Sequence, residues 1–459
     1  MTQPGQRVPS LPSTPIIGAA IGMRRDFLGT CSRAARDVGG LVRIVAGPPG
    51  WRMTLYAVAA PDLVYEILGH PDRFDKNVPT YRQMRWAFGN GMLTSEDEVW
   101  HRQRRFLAPV FTSRRITTQY AHVMAEEAAQ LVERWRDAEA RGETVDANAD
   151  MVNLTSRIIG RILFGADLSL AMPQISNMKF VSDELLRRGL APHPVPMWIP
   201  TRANRRLTQG LADIRGLVAT IIAERRSQLG APAEAQDMLG MLLQARDDQN
   251  RKDRLTDAEV ADQILIFLLA GHDTTGSTLA CLLVELARSP QWQATVREEV
   301  HRVLGGRPPT AEDIPQLVWT GRAVREAMRL YPAAHTIGRS AKQNEVLSGY
   351  HVPAGSILVI SPWAIQHSAK FWPDPETFDP SRFDVPSGEF PGGHKYAWFP
   401  FGAGPRACVG MQLAMIEVPL VLATILSAFS LSTELTSIPV DPAISLHPAS
   451  ALPVTLRGV

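Results

Sequence analysis

The sequence predicts a mainly α-helical fold with a small β part, because two kinds of apolar pattern occupy different regions of the chain. Helical spacing of apolar residues continues almost without a break from about residue 60 to residue 330. Strand-like patterns are confined to approximately 40–60, 336–366 and 430–459. Strands near the two ends of a helical chain are typical of one α-rich domain, and not of repeated βαβ units. We therefore expect residues 1–459 to form a single domain, beginning with an extended segment over residues 1–20.

The elements can be assigned from the N-terminus onward. Residues 41–58 contain two short strands around a Pro-Pro-Gly turn, which predicts a hairpin. The helical region breaks at a Pro-rich stretch, 191–202, and at a polar stretch, 247–253. Residues 368–400 are rich in Pro and Phe and are expected to form a loop. One more helix is expected to start near Cys408.

A long apolar helix is predicted in the middle of the chain. Thr256–Glu259 has the sequence of a capping box, and Arg288-Ser289-Pro290 is a suitable end. About 33 residues at roughly 1.5 Å each would span about 50 Å. The stretch LLAGHDTTGS, residues 268–277, interrupts the apolar pattern with two glycines, an acid and two threonines. Glycine in mid-helix costs about 1 kcal/mol relative to alanine, so this interruption needs a reason.

The composition is that of a soluble globular protein. Of 459 residues, 45% are hydrophobic, and 48 cationic against 46 acidic residues give a net charge of +2, which gives no support for nucleic-acid binding. Three widely separated cysteines indicate a reducing compartment without a disulfide framework. The short apolar stretch Ile16–Met23 is not long enough to span a membrane. We therefore expect a cytoplasmic protein with no membrane anchor.

The stretch FGAGPRACVG, residues 401–410, allows more than one interpretation. Its spacing Gly402-x-Gly404-x-x-Ala407 matches the dinucleotide-binding fingerprint. That fingerprint requires a strand before the glycines, a helix after them and an acid about 20 residues further on. Here WFPF precedes the glycines and Pro405 lies among them, so a nucleotide site is disfavoured.

The other interpretation makes Cys408 the centre of a tight loop. Two glycines and a proline would direct backbone N–H groups at the sulfur, and the helix beyond Cys408 would add its positive end. Both effects favour a thiolate, the form in which cysteine ligates haem iron. Arg406 could reach an anionic edge of such a cofactor. A buried, inert cysteine is the alternative.

This stretch resembles the haem-binding loop of the cytochrome P-450 family, the haem-thiolate monooxygenases, written F-x-x-G-x-R-x-C-x-G. Phe401, Gly404, Arg406, Cys408 and Gly410 fill every fixed position. Three further family motifs occur in the correct order, so that the resemblance covers roughly residues 40–455. It implies a soluble, bacterial-type cytochrome P-450 fold, with haem b (iron protoporphyrin IX) buried between the long central helix and the helix after Cys408. Cys408 would be the axial iron ligand, and Phe401 would contact the cofactor.

Glu326 and Arg329, in VREAMRLYP, resemble a second family motif. Their i, i+3 spacing places both side chains on one helical face. A surface ion pair of little consequence is the simple interpretation. The resemblance implies instead a buried pair, completed by Arg382 in PETFDPSRF, that braces the cysteine loop.

Trp100 and Arg104, in EDEVWHRQRRF, resemble a third motif. Their i, i+4 spacing also fits an ordinary amphipathic surface helix. The resemblance implies that both donate hydrogen bonds to a haem propionate, with Arg339 as another donor. Planar arginine is well suited to binding carboxylates.

The polar stretch of the central helix resembles the oxygen-activation motif of the family, A/G-G-x-D/E-T-T/S. Ala270, Gly271 and Thr274 lie on one face and would leave room for a flat macrocycle and dioxygen. The Thr274 hydroxyl can bond the carbonyl one turn back and admit water. The resemblance implies that Thr274 and Asp273 deliver protons, and that His272 points away from the iron. The alternative is a kinked core helix in which the polar side chains of this stretch only make hydrogen bonds within the protein.

The resemblance implies a monooxygenase that hydroxylates or epoxidises an apolar small molecule with dioxygen. A terpenoid, a fatty acid or a polyketide-like compound would suit. Electrons are expected from a separate ferredoxin or flavodoxin with its NAD(P)H-dependent reductase, and we expect a monomer that binds no nucleic acid. The alternatives are another haem-thiolate reaction, such as isomerisation, and a haem-based binding or sensing protein. The Asp273–Thr274 pair disfavours a protein that only binds.

The resemblance also suggests where the substrate lies. The expected pocket is lined by the segment before Trp100 (residues 81–92), Trp198, Phe267, Ala334 and His335, with Arg82 and Arg85 as further polar candidates.

Overall fold

The computed structural model describes residues 6–165, 172–191, 193–228, 237–245 and 254–459, without the side chains of residues 172–177, 228 and 272. The predicted break over 247–253 and the predicted direction of the His272 side chain lie outside the described part. The helices of the described part are α1 (Ala20–Arg25), α2 (Phe27–Asp37), α3 (Pro61–Leu68), α4 (Pro79–Phe88), α5 (Asp97–Leu107), α6 (Ser113–Arg115), α7 (Ala121–Ala140), α8 (Ala147–Phe164), α9 (Met172–Leu190), α10 (Arg202–Gln228), α11 (Met238–Gln244), α12 (Asp257–Arg288), α13 (Pro290–Leu304), α14 (Val318–Leu330), α15 (Pro362–Gln366) and α16 (Met411–Ala428).

Short strands make up the β part, and the prediction of a mainly α-helical fold with a small β part is confirmed. The strands of the described part are β1 (Gln6–Arg7), β2 (Leu41–Ala46), β3 (Met53–Val58), β4 (Phe74–Asp75), β5 (Val145–Asp146), β6 (Ile337–Ala341), β7 (Glu345–Leu347), β8 (Tyr350–Val352), β9 (Ile357–Ile360), β10 (Phe429–Ser432), β11 (Val440–Pro442), β12 (Leu446–Pro448) and β13 (Pro453–Gly458).

Helix α12 is the central element, and local signals set both of its ends. The Glu259 amide donates to the Thr256 hydroxyl (3.2 Å), and the Thr256 amide donates to the Glu259 carboxylate (2.8 Å), which confirms the capping box. The helix ends at Arg288, two residues before Pro290, as predicted. It remains helical through its polar stretch and packs against α8, α10, α14 and α16.

The largest sheet has the strand order β2-β3-β9-β6-β4. Strands β2 and β3 form the predicted hairpin, with Leu41 opposite Val58. Strand β9 runs parallel to β3 and antiparallel to β6. This pairing places Arg339 of β6 opposite Leu358 and at the wall of the large cavity described below.

Three boundaries can be compared with the sequence predictions. The Pro-rich stretch 191–202 separates α9 from α10, as predicted. The end of the predicted strand region 336–366 is helical, because Ser361 caps α15 by accepting from the Ala364 amide (3.1 Å) and Pro362 fits the first helical position. The helix expected near Cys408 begins at Met411.

Two helices of the described part, α12 and α16, are long and apolar enough to cross a membrane by length and composition. In their most apolar windows 76% of α12 and 61% of α16 is buried inside the protein. Such burial is typical of core helices, which need an apolar surface on all sides.

Candidate active site

A cavity of about 520 Å³ lies among α4, α5, α9, α12, the sheet, the loop before α16 and the C-terminal β-hairpin. Its volume lies within the range typical of small-molecule sites. Phe401, Cys408, Arg406, Trp100 and Arg104 line it, and so do Arg339, Ala270, Gly271, Asp273 and Thr274. All residues proposed from the sequence to hold a cofactor or to act on dioxygen therefore share one cavity.

Glycines shape the loop that presents Cys408 to this cavity. Gly402 and Gly404 have φ values of +71° and +69°, which side chains other than glycine rarely adopt. A Cβ atom on Gly404 would also lie 2.1 Å from the Leu68 carbonyl oxygen, which belongs to α3. The loop closes through a hydrogen bond from the Cys408 amide to the Phe401 carbonyl (2.9 Å). Glycine is therefore required by both the backbone turn and the contact with α3.

Opposing effects act on the Cys408 thiol. The residue is exposed to the cavity, but the cavity removes it from bulk water, and this desolvation raises its pKa. Hydrogen bonds from the Gly410 and Met411 amides and the charge of Arg104 lower it, and desolvation is the largest effect, so the net direction is upward. The amide donors predicted from the sequence are present, and their hydrogen bonds lower the thiol pKa, as expected. A metal ion bound to the sulfur would remove the proton, because a coordinated thiol ionises.

A group of cations lies along the cavity wall near Trp100. The Arg406 guanidinium lies 4.2 Å from the centre of the Trp100 ring, and its buried Nη1 atom has no hydrogen-bond partner in the described part of the chain. Burial and the charge of Arg339 lower the Arg406 pKa to about 10. The Arg339 residue is itself only 5% exposed.

Lys76 is a fourth cation in this wall, beside Arg104, Arg339 and Arg406. It was not identified from the sequence. It is buried, and its ammonium group donates to the Leu93 carbonyl (2.8 Å). Burial, followed by the charges of Arg339 and Arg406, lowers its pKa well below the usual value. Only the fold reveals this lysine as a site residue, because the sheet brings it beside Arg339 and the loop before α16 brings it beside Arg406, both distant in sequence.

The donor set fits a haem. Positive charges held close together in a poorly solvated wall are unfavourable unless an anion binds among them. Lys76, Arg104, Arg339 and Arg406 would hold the two propionates of a haem, and the unpaired Nη1 of Arg406 is a donor ready for a carboxylate. Cys408 lines the same cavity and would supply the sulfur ligand.

Helix α12 presents its polar stretch to the cavity without losing its helical hydrogen bonding. The Thr274 hydroxyl donates to the Ala270 carbonyl (2.7 Å), and the Thr278 hydroxyl repeats this bond to the Thr274 carbonyl (2.9 Å). The bond predicted for Thr274 is therefore present. The Asp273 carboxylate accepts a hydrogen bond from the Ser445 hydroxyl, so that the C-terminal hairpin holds this acid.

The two glycines of the stretch serve helix packing. A Cβ atom on Gly271 would lie 2.9 Å from Ile159 Cγ1, and one on Gly276 would lie 2.9 Å from Val152 Cα. Both neighbours belong to α8, so glycine permits the close approach of α8 and α12. The reason expected for Gly271 was space for a cofactor; Gly271 does line the cavity, but its missing side chain makes room for Ile159.

The predicted trio of Glu326, Arg329 and Arg382 is assembled and buried. Arg329 donates to both Glu326 oxygens (2.7 and 2.9 Å), neither side chain is exposed, and Arg382 Nε lies 3.3 Å from Glu326 Oε1. Arg329 also donates to the Gln366 carbonyl (2.7 Å). The Gln366 side-chain oxygen in turn accepts from the Phe399 amide (3.2 Å), two residues before the cysteine loop begins. Gln366, which sequence reasoning missed, thus connects the trio to that loop.

The predicted substrate-pocket residues divide into two groups. Phe267, Ala334 and His335 line the cavity, but the His335 ring is committed to the backbone, with Nε2 2.9 Å from the Ala443 carbonyl oxygen. Trp198 is 82% exposed and does not line the cavity, contrary to the prediction. The Pro-rich loop directs it to solvent.

The polar candidates of α4 also fail as pocket residues. Arg82 is exposed, and Arg85 donates to the Thr94 carbonyl and to Glu96. The same helix does line the cavity with Tyr81 and Met84.

Comparison with known proteins agrees with this site. A family model described as Cytochrome P-450 matches residues 8–451. The chain is 33% identical over 428 residues to a cyclooctat-9-en-7-ol 5-monooxygenase of Streptomyces melanosporofaciens, covering 91% of this chain and 88% of the relative. It is 31% identical over 426 residues to a pentalenene oxygenase of Streptomyces avermitilis, covering 92% and 90%. It is also 32% identical over 419 residues to a cyclooctatin synthase of S. melanosporofaciens, covering 90% and 87%.

A cysteine and a set of cationic donors suited to haem propionates, arranged around one largely apolar cavity, are typical of the class of haem-thiolate oxygenases. The chain belongs to the cytochrome P-450 family. It is a haem-dependent oxidoreductase, a monooxygenase that acts on small organic substrates with dioxygen and redox partners.

Proposed function

We propose that this chain is a haem b monooxygenase that hydroxylates or epoxidises a terpenoid. One observation carries the proposal: the Cys408 sulfur, the buried cations Lys76 and Arg339 and the half-buried Arg406 line the same largely apolar cavity. A sulfur ligand and paired anion donors are what a haem requires.

In this proposal each wall of the cavity has one task. Cys408 ligates the iron, Trp100 and the four cations hold the propionates, and Phe401 packs against the cofactor. When bound, the haem supplies dioxygen activation, which electron donation from the thiolate favours. The trio of Glu326, Arg329 and Arg382 acts through Gln366 and keeps the cysteine loop in place.

Proton delivery falls to α12. The Thr274 hydroxyl can turn from the Ala270 carbonyl and donate into the cavity, since a hydroxyl rotates freely between partners. Asp273 can hand protons to it through water, and the Ser445 hydroxyl holds the carboxylate beside the cavity. A protein that only binds or senses would not need this acid–alcohol pair.

The lining supports an apolar substrate. Phe267, Met84, Ile266 and Ala334 are among the residues that face the cavity. Relatives named for cyclooctat-9-en-7-ol and pentalenene favour a terpenoid over a fatty acid or a polyketide-like compound. We further propose a monomeric, cytoplasmic enzyme that receives electrons from a ferredoxin or flavodoxin reduced by an NAD(P)H-dependent reductase.

Two measurements test the proposal. The purified, reduced protein should give a thiolate-type Soret band with carbon monoxide, and Cys408→Ser should lose it; absence of the band in the wild type would overturn the haem-thiolate assignment. With NADPH, a ferredoxin and its reductase, the enzyme should then consume dioxygen and form an oxygenated terpenoid. Binding without any turnover across a terpenoid panel would favour a sensing protein instead.

A further inference from the structure

Large apolar side chains are exposed on three segments that meet at the surface. The Gly47 amide donates to the Ile17 carbonyl (2.9 Å), which joins the N-terminal segment to the turn between β2 and β3. In that turn, the centre of the Trp51 ring lies 4.6 Å from that of His193, in the loop between α9 and α10. The exposed apolar residues of the three segments, each 40% to 82% exposed, are Ile16, Ile21, Trp51, Val195 and Trp198.

The charge of these segments has one sign. Residues 1–25, 38–61 and 185–212 contain ten arginines and no acidic residue, although the whole chain has almost as many acids as cations. The first acid after this N-terminal stretch, Asp26, is paired with Arg33 (3.1 Å). The apolar–basic face consists of the five apolar residues above and five exposed arginines, Arg24, Arg25, Arg52, Arg202 and Arg205.

This combination suits the surface of an anionic membrane. Tryptophan favours the boundary between lipid headgroups and acyl chains. Apolar side chains that enter this boundary add binding free energy, and neighbouring arginines are attracted to anionic headgroups. Acidic residues, which such headgroups would repel, are absent from all three stretches.

The position of the cavity also favours lipid as the partner. Phe27, Met53 and Leu190 each lie within a few residues of the apolar–basic face, and all three line the cavity. A protein bound over this face would cover that end of the cavity. A bilayer instead dissolves apolar molecules of the kind that the proposed function requires, and this one argument rests on that function.

We propose that the apolar–basic face binds anionic lipid membranes reversibly. The enzyme needs no membrane anchor for this, because several weak contributions add up. Each arginine near an anionic surface contributes about fivefold to binding. A tryptophan that leaves water contributes about tenfold.

The test uses the haem-loaded enzyme and sedimentation with vesicles. One set contains phosphatidylcholine alone, and the other contains phosphatidylcholine and phosphatidylglycerol in equal parts. At low salt the wild type should bind the anionic vesicles at least about tenfold more tightly, and high salt should remove most of this difference. Arg52→Gln should weaken binding to the anionic vesicles about fivefold, and Trp198→Ala about tenfold.

Two matched variants change similar side chains elsewhere. Arg302 is exposed on α13, Phe390 is 48% exposed, and both lie outside the three segments. Arg302→Gln and Phe390→Ala should therefore bind vesicles as the wild type does. All four substitutions replace exposed side chains, so each variant should fold and keep the wild-type haem spectrum.

Equal binding of the wild type to both vesicle types would overturn the proposal, and so would equal losses in Arg52→Gln and Arg302→Gln. Slower haem reduction by a ferredoxin in Arg52→Gln, without vesicle binding by the wild type, would assign the face to a protein partner instead. Sedimentation requires neither electrons nor substrate. Its outcome is therefore separate from that of the carbon monoxide and turnover measurements that test the proposed function.

Discussion

The hydroxyl of Ser445 donates a hydrogen bond to the carboxylate of Asp273. This contact joins the C-terminal hairpin to the central helix at the cavity wall. It holds in place a carboxylate that would otherwise be free to rotate.

Ser445→Ala should therefore impair proton delivery without disturbing the haem site. We expect product per NADPH to fall about two- to tenfold and peroxide release to rise, because the acid is still present but no longer oriented. Asp273→Asn should cause a larger loss, on the order of 100-fold in turnover. Both variants should keep the wild-type carbon monoxide spectrum; an unchanged coupling ratio in Ser445→Ala would show that the bond has no role in proton transfer.

Thr274→Ala should uncouple electron consumption from product formation. Removal of the hydroxyl takes away the α12 alcohol that would pass protons into the cavity, so peroxide should become the main product. Thr278→Ala is the matched control, because its hydroxyl makes the same bond to the carbonyl one turn back. Peroxide and product are measured together against NADPH; equal uncoupling in both variants would point to a disturbed helix.

Arg329→Met should weaken the whole fold. It leaves the Glu326 carboxylate buried and removes the bonds to the carbonyls of Gln366 and Pro375. Removing one partner of a buried pair costs about 3–5 kcal/mol, and we expect that loss in the free energy of unfolding together with poor haem retention. Arg136→Met breaks an i, i+3 pair with Glu133 whose side chains are 57% and 69% exposed, and should leave the denaturant midpoint unchanged.

Lys76→Met should act in opposite directions on the haem-free and haem-loaded forms. Without haem, the change removes a buried charge that repels Arg339 and Arg406, so the thermal midpoint should rise. With haem, it removes a propionate donor, so haem transfer to apomyoglobin should become faster. A lower midpoint in the haem-free form would contradict this and show that the bond to the Leu93 carbonyl outweighs the repulsion.

His335 should make stability depend on pH. Burial lowers its pKa from 6.5 to about 4, so between these values the unfolded chain binds a proton that the folded protein does not. Stability is then lost as pH falls from about 6.5 to about 4, by up to about 3 kcal/mol. The pKa of buried His367 is also lowered to about 4, so His335→Gln should reduce this slope in denaturant titrations without abolishing it. His122→Gln, at a side chain that is 75% exposed, should not change it.

Local signals were sufficient for much of this structure. The ends of α12 follow from Thr256, Glu259 and Pro290, which act within one helical turn. The trio of Glu326, Arg329 and Arg382 and the cysteine loop could be placed because each carries a spacing shared with a whole family. Such patterns record contacts that many sequences have in common.

Contacts between residues distant in the chain were not accessible from the sequence. Lys76 shows no periodicity that marks it as buried, and Ser445 lies 172 positions from its partner Asp273. Trp198 was misplaced because an aromatic residue in a Pro-rich loop can face either way, and only tertiary packing decides. The sequence indicated that the two glycines of α12 need a structural reason. That this reason is close packing against α8 could not be known without the fold.

The hairpin of β11 and β12 has a practical consequence for engineering. It contacts the ring of His335 through the Ala443 carbonyl, the ammonium of Lys179 through His447 and the carboxylate of Asp273 through Ser445. Libraries that randomise residues 440–448 to broaden substrate scope should therefore be screened for peroxide leakage as well as for new products. In the proposed enzyme this one nine-residue segment both lines the substrate cavity and holds Asp273, so we expect changes in it to alter selectivity and efficiency together.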